Sequence, residues 1–187
     1  INYVAIGDSL TSGVGVDSYI KSYPYLLSKT LAKQGVTIQL STAATPGGKT
    51  DGVITDLPNI VAKQPNMITL LIGVNDMHNH ASLSDFKQNY ETIIKTLSEK
   101  TKARIYIINL PFIGDSNLML FPYNYYFNYQ TQKYNEVIKQ IALDNKLTYI
   151  DLYASTTPEA LKKAGYNDYY STDSFHPNEI GYTLWSH

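Results

Sequence analysis

The chain has 187 residues, 43% hydrophobic and 17% charged, enough for one α/β domain with a sizeable core and too few for two full domains. Fifteen basic residues against sixteen acidic ones leave a formal charge of -1 with no basic tail or stripe, which argues against nucleic acid as a partner. The absence of cysteine excludes disulfides, thiolate metal sites and cysteine nucleophiles, and no apolar run approaches the roughly 20 residues that cross a bilayer, so a soluble protein without a transmembrane segment is expected.

The chain starts at Ile1 and enters a strand almost at once, which suggests a leader or anchor removed upstream. Export or a bacterial cell-surface position is one expectation and the cytoplasm is the alternative.

Strand one reads as Tyr3 to Ile6, followed by Gly7-Asp8-Ser9-Leu10 and a flexible stretch through Gly13 and Gly15. A helix follows, with Ser22 as cap, Pro24 just inside, Leu26, Leu27 and Leu31 on one side and Gly35 as the stop. Thr37 to Leu40 fits strand two, Thr42 to Thr50 a turn-rich loop, and Asp51 to Leu57 a short helix interrupted by Pro58.

Met67 to Ile72 is the clearest buried strand, ending in Gly73-Val74-Asn75-Asp76 and a polar segment from Met77 to Ala81. Ser82 with Asp85 forms an acidic variant of a capping box ahead of a helix carrying Phe86, Tyr90, Ile93, Ile94 and Leu97 at helical spacing. Ile105 to Ile108 is strand four, and an aromatic-rich connection runs from Leu110 to Phe127. A helix around Tyr134, Val137, Ile138 and Ile141 leads to a fifth strand near Tyr149-Ile150. Thr157-Pro158-Glu159 opens a helix ending at Gly165, and Asp173 to Pro177 lies in a polar loop before a last helical segment. Alternating strands and helices, with strands buried on both faces, predict a three-layer α/β/α sandwich around a parallel sheet of about five strands. In such sheets the loops beyond the carboxyl ends of the strands gather into one site, where Ser9, Gly48, Asn75 and His176 could meet.

A serine hydroxyl needs a neighbouring base to attack a carbonyl at neutral pH. Ser9 follows a strand and a glycine, which projects its oxygen at the sheet edge. His176 has Asp173 three residues earlier, so the carboxylate can bind the far ring nitrogen and leave the near one to face Ser9. Acyl transfer also needs donors for the oxygen that becomes negative, and backbone N–H groups near Ser9 and Gly48 with the Asn75 amide supply three. Each residue alone also has a plainer reading: turn former, helix cap or loop amide.

Together the four blocks resemble the SGNH hydrolase superfamily, the GDSL-type esterases and lipases, with a flavodoxin-like fold. The resemblance implies that Ser9 of Gly7-Asp8-Ser9-Leu10 is nucleophile and oxyanion donor. It assigns Gly48 of Pro46-Gly47-Gly48-Lys49-Thr50 to the oxyanion hole, with Gly47 as the alternative donor, and Asn75 to the same hole through its side chain. Asp173 and His176 complete the triad, although Ser174 stands where the family pattern has glycine. The chain is most similar to the bacterial lysophospholipase L1-like branch, which implies hydrolysis of acyl esters through an acyl-enzyme with no metal or organic cofactor. Lysophospholipase, thioesterase and carbohydrate O-deacetylase activity on acetylated xylan or peptidoglycan are the alternatives, so substrates range from small acyl esters and lipids to acetylated sugars. A carbohydrate-binding module that has lost turnover is the reading from another class.

Three further features invite other functions. Gly48-Lys49-Thr50 resembles the end of a phosphate loop, but Ala43 stands where its first glycine belongs. His78 and His80, near Asp76, have metal-like alternate spacing without a clear further ligand. Phe112, Phe121, Tyr123, Tyr125, Tyr126, Phe127 and Tyr129 either pack a long connection against the sheet or form an apolar wall or lid beside Ser9.

Overall fold

The computed structural model describes residues 1–113 and 118–187. Its elements in chain order are β1 (Asn2–Gly7), α1 (Ser9–Ser12), α2 (Tyr23–Lys33), β2 (Gln39–Ala44), α3 (Thr50–Ala62), β3 (Met67–Leu71), α4 (Val74–His78), α5 (Leu83–Lys100), β4 (Arg104–Ile108), α6 (Tyr123–Asp144), β5 (Thr148–Ile150), α7 (Leu152–Thr156), α8 (Pro158–Lys163) and α9 (Glu179–Trp185). The five strands form one parallel sheet in the order β2-β1-β3-β4-β5, as the alternating pattern predicts. Right-handed crossovers place α2 on one face, because β1 to β2 moves in the opposite direction to every later step, and place α3, α5 and α6 on the other. Helix α9 packs beside α2, and α5 lies between α3 and α6.

The order reverses at β1, so the loops after β1 and β3 leave neighbouring strands at the switch point where an open sheet has its crevice. Ser9 and Asn75 stand just beyond those two strands, at the starts of α1 and α4. The core runs through both faces of β1, β3 and β4, and the helical-spaced residues of α5 all join it: Phe86, Tyr90, Ile93, Ile94 and Leu97. Ser82 caps α5 as expected, its hydroxyl accepting the Asp85 N–H at 3.0 Å.

Several boundaries differ from the sequence expectation, each for a tertiary reason. Strand β2 extends to Ala44 because Ala5, Ile6 and Gly7 pair with Thr42, Ala43 and Ala44, segments that look like a loop in isolation. Helix α3 passes through Pro58: the ring removes one helical hydrogen bond, while burial of Val53, Leu57 and Ile60 carries the pattern on both sides of it. Ser22 stands at the N-cap of α2 without capping, since its hydroxyl donates to the Tyr19 carbonyl at 2.7 Å. The polar segment from Met77 to Ala81 begins inside α4, which ends at His78, and α1 and α7 are short helices without an apolar period of their own. The aromatic connection is shorter than expected, because α6 already begins at Tyr123; Gly114 to Asn117 of that connection lie outside the described residues.

Candidate active site

Ser9 opens α1 directly after β1. The turn is tight: a Cβ on Gly7 would sit 2.1 Å from Thr11 Oγ1 and 2.4 Å from the Leu71 carbonyl, so only a residue without a side chain lets β1 swing into α1 beside β3. Asp8 caps the new helix, its carboxylate accepting the Leu10 N–H at 3.0 Å. The Ser9 N–H is left without an acceptor among the described residues.

The structure brings three of the proposed residues into one hydrogen-bonded line. His176 Nε2 lies 2.9 Å from Ser9 Oγ, and Nδ1 lies 2.6 Å from Asp173 Oδ2. The other carboxylate oxygen, Oδ1, accepts the Ser171 hydroxyl at 2.7 Å and the Phe175 and His176 N–H groups at 2.9 Å each. Partial burial works to raise the Asp173 carboxyl, but the bonds from the imidazole, the Phe175 N–H, the Ser171 hydroxyl and the His176 N–H together outweigh it and hold the group well below the usual carboxylate range. The carboxylate therefore stays charged and fixes the ring with one nitrogen turned to Ser9.

Asn75, at the start of α4, donates its amide to the Gly48 carbonyl at 3.0 Å and faces Asp8 Oδ2 at 3.4 Å. The second contact is long enough for a developing oxyanion to displace it. Gly48 differs from expectation. With Pro46 and Gly47 at its centre, and Gly47 at φ +76, the Thr45–Gly48 segment has the make-up of a type II turn, and the Gly48 N–H closes it on the Thr45 carbonyl at 2.8 Å. An oxyanion role for the Gly48 N–H requires this bond to be shared or opened, whereas its carbonyl already orients Asn75. The Gly47 N–H bonds to no described residue.

Four features near the site carry structure that the sequence did not reveal. Asp8, named only as a motif letter, is a buried carboxylate in contact with both the serine turn and Asn75; burial pushes its pKa up to about 7, with the nearby Asp76 adding to the rise. Asp76 instead grips the start of α3 through the Thr50 N–H and hydroxyl. Gly15, assigned to a flexible stretch, sits at φ +104 with space for no side chain: a Cβ would lie 2.4 Å from the Pro177 carbonyl and 2.9 Å from His176 Cβ. Its loop thus buttresses the histidine. His78 is wedged between Phe127, at 5.0 Å between ring centroids, and Phe175, at 5.6 Å, and its buried Nε2 has no partner among the described residues. Burial, reinforced by His80, lowers its pKa.

The alternative motifs do not converge. Asp76 is occupied by Thr50 and His78 by aromatic rings, and no group of three or more candidate metal ligands occurs among the described residues. Lys49 pairs with Asp51 at 3.1 Å, as a loop charge does. Behind the triad an apolar slot of about 20 Å³ lies among Leu10, Phe112, Ile113, Tyr169, Phe175 and Trp185, but neither Ser9 nor His176 lines it.

The buried Asp8 predicts a pH effect on stability. Its folded pKa lies above the ordinary 3.8, so the folded state holds this proton more tightly than the unfolded chain. Its contribution is fully present below about pH 4 and is lost as pH rises to about 7, by on the order of a few kcal/mol. Asp8→Asn is expected to flatten the fall in Tm between pH 4.5 and pH 8 in thermal melts. Identical slopes for the two proteins would contradict this account.

The model of the GDSL-like lipase/acylhydrolase family matches residues 5–184. The chain belongs to this family. Among solved structures it is similar to a lipase from a goat rumen metagenome, with a TM-score of 0.81 at 22% identity over 100% of this chain and 94% of that one. An acetyl xylan esterase superposes with a TM-score of 0.80 at 23% identity, covering 100% and 96% of the two chains. The lipase/acylhydrolase from Enterococcus faecalis gives 0.77 at 22% identity, covering 100% and 92%. No curated protein matches in sequence. The family makes the chain a hydrolase of the esterase and lipase type; the likeness to these structures establishes the shared fold.

Proposed function

We propose that residues 1–187 act as one catalytic domain that hydrolyses carboxylic acyl esters through an acyl-enzyme on Ser9. The observation that carries this reading is the unbroken line of hydrogen bonds from Ser9 Oγ through the His176 ring to Asp173, at 2.9 and 2.6 Å. In the reaction Ser9 Oγ attacks the ester carbonyl carbon while His176 Nε2 takes its proton, and Asp173 stabilises the resulting imidazolium. The tetrahedral oxygen, now negative, is held by the Ser9 N–H and the Asn75 amide, with a third N–H from the Gly47-Gly48 turn. Collapse breaks the bond to the alcohol oxygen, which receives the proton from His176. Water, deprotonated by the same nitrogen, then attacks the acyl-enzyme, and Ser9 regains its proton as the acid leaves. No step calls on a metal or organic cofactor.

A hydrolysis panel spanning p-nitrophenyl acetate to long-chain esters, lysophospholipids and acetylated sugars tests the reading and ranks substrates. A fluorophosphonate probe separates turnover from a passive binding module, since only an activated serine is labelled. Failure of the probe to label Ser9 would remove the basis of the mechanism.

Asn75→Ala should lower kcat by about 10²- to 10³-fold with a much smaller change in KM, because the amide meets full negative charge only in the transition state. A rise in KM at unchanged kcat would instead make Asn75 a ground-state binding group.

A further inference from the structure

The start of α6 presents a large uncovered aromatic surface. Leu120 and Phe121 are 77% and 79% exposed, and Tyr123, Tyr125, Tyr126 and Tyr129 are also exposed. Packing of the connection against the sheet accounts for Leu110, Ile113 and Phe127, which join or touch the core, but not for these six. A cluster of this kind marks an interaction site more often than a neutral surface.

Two properties identify the kind of partner. From Leu118 to Gln132 the chain contains no Asp, Glu, Lys, Arg or His, and the side chains between the rings are the neutral amides Asn124, Asn128, Gln130 and Gln132. Tyr153 anchors two of these amides, donating to Asn128 at 2.6 Å and accepting from Gln132 at 3.0 Å. The next cation along the helix, Lys133, sits 4.6 Å over the Tyr129 ring. A surface of ring faces, phenol hydroxyls and amides matches a neutral ligand that alternates C–H faces with hydroxyls: the rings stack, the amides and phenols both donate and accept, and no charge is desolvated. An anionic bilayer would instead favour a basic rim, which this part of the helix lacks.

A row of packed rings links this surface to the candidate active site. Tyr126 packs on Phe127 with centroids 5.4 Å apart, Phe127 on His78 at 5.0 Å, His78 on Phe175 at 5.6 Å, and Phe175 on His176 at 4.9 Å. This row of rings leads from α6 to the imidazole beside Ser9.

We infer that the exposed aromatic face at the start of α6 binds a neutral polysaccharide chain and holds it so that an O-acyl group on one of its sugars reaches Ser9. The inference rests on the reading of Ser9 as the nucleophile for its second half only; retention of the polymer by α6 does not depend on turnover.

Affinity electrophoresis through gels containing acetylated xylan, acetylated glucomannan or hydroxyethyl cellulose tests the binding, using the full chain, its Ser9→Ala variant and the double variant Phe121→Ala/Tyr125→Ala. The expected result is retardation of the full chain and of Ser9→Ala by at least one polymer, with the apparent Kd about tenfold weaker in the double variant. On acetylated polymer the double variant should also lose about tenfold in kcat/KM relative to its kcat/KM on p-nitrophenyl acetate. Unretarded migration in every gel, or retardation equal in the double variant, overturns the inference. So does sedimentation with phosphatidylcholine–phosphatidylglycerol vesicles that the double variant loses while no polymer is bound, which would assign the face to a lipid surface. Absence of p-nitrophenyl acetate hydrolysis by the full chain, with polymer still retained, would count against the Ser9 mechanism and leave the binding face in place.

Discussion

Ser9→Ala is expected to lower kcat on p-nitrophenyl acetate by about 10⁴- to 10⁶-fold and to abolish fluorophosphonate labelling. The hydroxyl lies 2.9 Å from His176 Nε2, so it can form a covalent bond with an acyl carbon while passing its proton to that ring nitrogen. Its removal leaves the Ser9 N–H, Asn75 and the turn after β2 in place, so weak residual hydrolysis from oxyanion stabilisation alone should remain. The variant should fold: among the described residues Ser9 Oγ bonds to no group besides the histidine, and the cap of α1 is provided by Asp8. Stopped assays with single-turnover analysis and melting curves check both points. Parental turnover by a folded Ser9→Ala protein would end the proposed mechanism.

Asp173→Asn should lower kcat by about 10³- to 10⁴-fold with the fold retained, and the hydrogen-bond pattern says why. Three donors, from Ser171, Phe175 and His176, converge on Oδ1, so in the asparagine the carbonyl oxygen must occupy that position. The amide nitrogen then takes the place of Oδ2 and points its hydrogens at His176 Nδ1. That nitrogen must become an acceptor, the ring proton moves to Nε2, and the nitrogen facing Ser9 can no longer remove a proton. The loss should appear in kcat, with KM changed little, across the neutral pH range. Activity within tenfold of the parent would mean that the carboxylate serves only to shape the loop. The sign of the linked stability is opposite to that of Asp8: a carboxyl held below its ordinary range stabilises the folded state above the unfolded pKa, and that contribution disappears only in strong acid.

Much of the architecture follows from short-range pattern. The buried run from Met67 to Ile72 and the period of Phe86, Tyr90, Ile93, Ile94 and Leu97 specify a strand and a helix whatever lies around them, because side-chain direction repeats with backbone geometry. The alternation of such segments restricts the sheet to parallel pairing with right-handed crossovers. Four blocks of chemistry-bearing residues, each just beyond a strand or in the last loop, then single out Ser9, Gly48, Asn75 and His176 with Asp173. What the linear pattern does not contain is competition among partners. The Gly48 N–H stands free on paper and is drawn into a turn by Pro46-Gly47; Ser22 has the composition of a cap and bonds elsewhere; Pro58 signals an ending that burial on both sides overrides.

The amino-acid order alone therefore determined the α/β class and the chemical types available at the sheet edge, since both depend on residues close together in the chain. Only the folded chain decided that Ser9 and His176, 167 positions apart, share a hydrogen bond, that Gly15 must be bare to admit the histidine loop, and that Asp8 is buried enough for its pKa to be pushed up. It likewise decided which tyrosines of the aromatic connection face outward. Each of these is set by which distant groups exclude water from, or donate to, a given atom, and that is a property of three-dimensional neighbours.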